Sequence, residues 1–129
     1  MKSSRGMALI TALLVAVLLL ILGVAFLNYL ENDYRFAARQ EKGQQAYYLA
    51  LAGLEFQKTR SDLLSPVPGA TPTETRNVGD SWHSFEVRVY PDGKIVSTGV
   101  VKTSLVTLAE RTLVVEPGRP VREYKDSSL

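Results

Sequence analysis

One histidine, His83, occurs in the 129 residues, and there is no cysteine. A nucleophilic relay or a zinc centre would have to be assembled around that single imidazole, with no thiolate and no second ring to help. A polar residue at a strand edge is the simpler account of His83. The carboxylates Asp80, Asp92 and Glu116 carry oxygens suited to calcium, but their spacing matches no calcium loop, and a solvated surface is the preferred reading. The expectation is a protein that is not an enzyme, with no catalytic residue, no cofactor and no metal. Without cysteine, a disulfide scaffold is excluded, and the redox compartment stays open. Trp82 fits either a plug in a small core or an exposed recognition residue.

The elements that would position these residues divide sharply by composition. Hydrophobic residues make up 46% of the chain, which suits an ordinary globular domain until their distribution is considered. Met7–Leu30 is a run of 24 mostly apolar residues without a single charge. At 1.5 Å per residue it reaches about 36 Å as a helix, enough to cross a bilayer core of about 30 Å. A secretory signal core is shorter than this, and a cleaved signal is therefore disfavoured against a membrane segment. Lys2 and Arg5 stand before the run and Glu31 and Asp33 after it, so the positive-inside rule puts the N-terminus in the cytoplasm and the rest outside. The same two basic residues account for the formal net charge of +2. Nothing remains to mark a nucleic-acid surface.

Residues 31–64 contain no proline and are rich in Ala, Leu, Gln, Glu, Arg and Lys, which predicts that the helix continues beyond the membrane to Leu64. Glu31–Arg35 and Lys58–Asp62 are spaced to pair along it. Leu49, Ala52, Phe56 and Leu63 form an apolar stripe for helix–sheet packing. Tyr47 and Tyr48 lie too far past Leu30 for a headgroup layer to be their simplest partner; packing on the sheet or on a neighbouring subunit is preferred. The prolines at 66, 68 and 72 end the helical pattern.

From there the period becomes two. Phe85, Val87 and Val89 alternate with polar residues, Pro91-Asp92-Gly93 marks a turn, and Lys94–Val101 completes a hairpin. A further strand is expected over Leu108–Val115, and a short edge strand over Thr73–Val78. The segment from Pro117 reads as a polar, loosely ordered tail over 117–129. Three or four antiparallel strands from residues 65–116 are too few to bury a core alone. The fold class expected is α+β: a long N-terminal helix, transmembrane in its first half, packed on a small antiparallel sheet.

With Lys2-Ser3-Ser4-Arg5-Gly6 before the apolar run, and Gln45–Glu55 reading QAYYLALAGLE, the chain resembles the type IV pilin-like proteins. Within that family it is most similar to PilX-type minor pilins and to the pseudopilins of type II secretion. The stretches Ser97-Thr98-Gly99 and Arg111–Val115 are similar to the family's closing strands. The resemblance implies that residues 1–6 are a leader cut by a prepilin peptidase between Gly6 and Met7, with methylation of the new N-terminus. It implies other pilins or pseudopilins, an inner-membrane assembly platform with its ATPase, and membrane lipid before assembly as partners. The location would be a bacterial inner membrane, then the periplasm or a pilus at the cell surface. The chain departs from the family pattern at two points. The fifth mature position, usually Glu, is Thr11, and the proline common near the end of the membrane segment in major pilins is missing, leaving Gly23 as the weak point of that helix. The family's Glu is thought to offset a neighbour's N-terminal ammonium in an apolar filament core, which a hydroxyl cannot do. The resemblance therefore implies a low-copy subunit of a tip or priming complex. Two rivals stay open: a pseudopilin of type II secretion, whose large inserted domain is absent here, and an unprocessed, signal-anchored envelope protein that binds a partner through its sheet.

Overall fold

The computed structural model describes residues 2–124, with side chains from Ser4 onward. They form α1 (Lys2–Thr59), β1 (Thr73–Asn77), β2 (His83–Val89), β3 (Ile95–Lys102), β4 (Thr107–Val115) and β5 (Arg122–Tyr124). The chain comprises two compact units, Met1–Ala38 and Arg39–Leu129.

The first unit is helix alone. Among its described residues the large apolar side chains are exposed, Leu9 to 72% and Leu20 to 70%. A window within the helix has a mean hydropathy of 3.1, long and apolar enough to cross a membrane. In water such a surface would be strongly unfavourable; in lipid it is matched.

The second unit is a two-layer α+β structure, the remainder of α1 packed on an antiparallel meander of order β1-β2-β3-β4-β5. Alternation decides which face is buried. Phe85, Val87 and Val89 of β2, Val101 of β3 and Leu113 of β4 lie in the core, together with Ala46, Leu49, Ala50 and Leu54 of α1. Each large side chain withdrawn from water contributes roughly 1.5–3 kcal/mol. The sheet has five strands rather than three or four. The additional pairing comes from Arg122–Tyr124, which bond along Thr112–Val114 within what reads from sequence as a tail. Lys125–Leu129 lie outside the described residues.

Helical geometry ends at Thr59 rather than Leu64. Tertiary burial overrides propensity here, because the backbone tightens as the Leu63 and Leu64 amides donate to the Arg60 carbonyl and turns Leu64 back, 2% exposed, against Phe85, Val87 and Val89. The shortening leaves Leu63 53% exposed and outside the stripe. It also leaves Lys58 paired with Glu55 at 2.9 Å instead of with Asp62. The Glu31–Arg35 pair forms at 2.6 Å.

Candidate functional site

Where α1 meets the sheet, small residues set the distance. A Cβ built on Gly99 would fall 2.0 Å from the Ala46 carbonyl oxygen and 2.5 Å from the Ala50 nitrogen. Helix and strand backbones therefore touch, and only glycine fits the strand. One turn along, a Cβ on Gly53 would lie 2.2 Å from Ser97 Oγ and 2.9 Å from a Val87 methyl. The fully buried Ser97 hydroxyl donates to the Ala50 carbonyl at 2.7 Å, so the one polar side chain in this seat is satisfied. Spacing makes this possible: Ala46, Ala50 and Gly53 recur on one helical face.

Leu49 packs with Ala46 and Val101, while Ala52 and Phe56 pack on the cluster of Leu64, Phe85, Val87 and Val89. The Phe56 and Phe85 rings stand 5.7 Å apart, and the Arg76 guanidinium lies 4.8 Å over Phe56. Tyr47 packs towards Ala50, Leu54 and Leu113, whereas Tyr48 is 68% exposed. Beside them, a polar recess is lined by Gln40, Gly43, Gln44, Tyr47, Arg111 and Glu123. Arg111 bonds Glu123 there at 3.3 Å, which fixes the guanidinium close against Gly43.

In the first unit, Gly6 and Met7 lie within α1, and a Cβ on Gly6 would meet nothing within 4 Å. Arg5 is exposed, and the Lys2 side chain lies outside the described residues. The Thr11 hydroxyl donates to the Met7 and Ala8 carbonyls, 3.0 Å each. Its polarity is thereby absorbed by its own helix. Thr11 shares one groove with Ala8, Ala12, Val15, Ala16 and Leu19, a face of mostly small residues of the kind on which membrane helices pack.

His83 sits at the start of β2, where its Nδ1 lies 2.7 Å from Asp80 Oδ1. The same oxygen accepts the Trp82 and His83 amides at 2.9 and 3.0 Å. The hydrogen bond with the His83 side chain, foremost, holds the Asp80 carboxyl below its ordinary range. These contacts build a turn. Among the described residues no three histidine or acidic side chains gather as a metal site, so Asp80, Asp92 and Glu116 form no such cluster. Trp82 is 42% exposed and plugs no core.

Sequence reasoning missed the seat around Gly99 and Ser97. The available signal was a glycine inside a strand pattern opposite a helix carrying Ala, Ala and Gly at one-turn spacing. Comparison of the chain with protein-family models, with curated proteins and with solved structures gave no match.

Proposed function

We propose that this chain is a low-copy subunit of a type IV pilus or pseudopilus, anchored in a membrane by Met7–Leu30 and cut between Gly6 and Met7 before assembly. The observation that carries the reading is the use of one helix for two purposes. Its first part offers an uncharged, mostly apolar surface with a small-residue groove, while its later part forms half of the core of an α+β unit. A 24-residue apolar helix is comparably stable in lipid and among similar helices, so transfer from bilayer to filament changes hydrophobic burial little. The protein itself does no chemistry. A prepilin peptidase, other pilins and an assembly platform are the partners this reading requires. Thr11, its hydroxyl already bonded within the helix, offers no charge to a neighbour's ammonium. A chain of identical subunits would repeat that deficit, whereas a tip or priming complex meets it once.

The test is the intact mass and the copy number of the mature protein in its native host. The wild type should lack residues 1–6 and carry an added methyl, the Gly6→Leu variant should retain the leader while still inserted in membrane, and sheared filaments should contain few copies. Retention of residues 1–6 by both proteins, their masses differing only by the Gly-to-Leu substitution, would overturn the pilin reading. Filaments made mainly of this chain would overturn the minor role.

A further inference from the structure

Two of the sheet's four hairpin connections are of opposite character. Between β2 and β3 the turn is Pro91-Asp92-Gly93, with Gly93 at φ 87° and the Asp92 carboxylate accepting the Lys94 amide at 3.0 Å. It is a polar, self-satisfied surface turn. Between β3 and β4 the chain runs Thr103-Ser104-Leu105-Val106, closed by the Thr103 amide donating to the Val106 carbonyl at 2.8 Å. Among the described residues nothing covers it: Leu105 is 91% and Val106 60% exposed. Trp82 is held next to this tip, its carbonyl accepting the Lys102 amide at 2.9 Å. Leu108, at the start of β4, adds a further exposed apolar side chain. Apolar residues at the least covered point of a tight turn, beside a tryptophan, are the composition of a segment that enters a lipid interface.

The place of the tip within the sheet unit strengthens this reading. As α1 is followed back from Gly53, it passes Ser97, then Gly99 at Ala50 and Ala46, then Val101. The residues of β3 beyond Val101 therefore lead to the end of the unit at which the chain enters, at Arg39. Eight residues, Glu31–Ala38, join Arg39 to the end of the apolar run, and even fully extended they span no more than roughly 30 Å. Among them Tyr34 and Phe36 are 76% and 62% exposed, aromatic side chains of the kind that settle at headgroup level. A short tether turns weak insertion of three or four side chains into an intramolecular event at high effective concentration.

We infer that the Leu105–Val106 tip, with Trp82, docks into the lipid headgroup layer of the membrane that holds the helix. The occupant is lipid rather than a second copy, because the tether keeps a bilayer within reach of every molecule, whereas a neighbour is present only at high density. Lys102, exposed on β3 beside the tip, can keep its ammonium among the phosphates while its stem lies along the apolar surface. The inference rests on the membrane-anchor reading proposed above.

Trp82 is the sole tryptophan and reports directly. The full chain is reconstituted into phosphatidylcholine/phosphatidylglycerol vesicles that contain lipids brominated at shallow or deep acyl positions, and flotation is measured on the same sample. The expected result is co-flotation with Trp82 emission quenched at least twofold more by shallow than by deep bromines. Quenching should fall to the level of unbrominated vesicles in Leu105→Asp/Val106→Asp, with an unchanged thermal transition because both side chains are exposed. A second reporter, Trp82→Phe/Leu105→Trp, should be quenched at least as strongly. Flotation without quenching of either reporter would overturn the tip inference and leave the anchor standing. Failure to float would overturn both. Emission that follows protein density at fixed lipid, without bromine quenching, would assign the tip to a neighbouring subunit and overturn the lipid inference.

Discussion

The two parts of α1 use the same residue types to opposite ends, and their glycines make the contrast plain. In the first unit a Cβ on Gly6 or Gly23 would meet nothing within 4 Å. In the second, an added Cβ would meet the Arg111 guanidinium at Gly43, Ser97 Oγ at Gly53 and the helix backbone itself at Gly99 of β3. Hydrophobicity alone therefore does not say which part of a helix has found its partner. In the apolar run large side chains point outward and await lipid or other helices. In the sheet-bound part small side chains bring two backbones into contact, and the large ones fill the flanks.

The sharpest way to break this comparison is a single methyl. Gly99→Ala would place its Cβ 2.0 Å from a helix carbonyl oxygen, a contact that no rotamer change relieves. Helix and strand must separate, opening the core around Leu113 and Val101. The expected cost is more than about 3 kcal/mol, a large share of what a small domain possesses. Gly23→Ala, with open space around it, should leave the sheet unit's unfolding unchanged. Thermal unfolding of both full-length variants in the same detergent measures the difference. Equal transitions in the two would show that the close seat at Gly99 is not required.

A smaller effect is expected from Ser97→Ala. The fully buried Ser97 hydroxyl gives up one hydrogen bond, to the Ala50 carbonyl, for a cost of about 1 kcal/mol. Gly53→Ala should cost more than Ser97→Ala, since its methyl collides with that same hydroxyl and with Val87. The double variant should then cost less than the sum of the two, because removing the hydroxyl relieves part of the collision. Denaturant unfolding of the three variants measures this coupling, and strict additivity would show that the two sites do not share a contact.

What could be read from the residues follows the same divide. The apolar run is a composition signal and needs no tertiary information. The β2–β3 hairpin is also legible, because alternation around Pro91-Asp92-Gly93 specifies both strands and turn. The helix end was misplaced because Leu64 is held by burial, whereas its local sequence is good helix. The β5 pairing was missed because Arg122–Tyr124 are polar and exposed, so their strand is defined by the β4 edge they bond to rather than by any apolar face. The seat at Gly99 depends on two segments far apart in sequence, which no local window contains.

The smallest expected effect concerns Asp80, in the turn that presents Trp82. Its carboxylate gathers the Trp82 amide, the His83 amide and the His83 ring on one oxygen. A carboxyl that titrates below its ordinary value in the folded protein stabilises that fold above its unfolded pKa of about 4. The contribution is lost as the pH falls through the lower, folded value. Acidification below about pH 4 should therefore loosen this turn before any core element. In the full chain in micelles, the Trp82 and His83 amide resonances should move upfield together over that range as their acceptor is protonated. In Asp80→Asn the amide oxygen still accepts both backbone bonds but does not titrate, so the turn should persist and the acid-range movement should vanish. Movement of the same amplitude in Asp80→Asn would assign the acid response to another group, while loss of the turn in that variant at neutral pH would show that the negative charge, rather than the acceptor geometry, holds it.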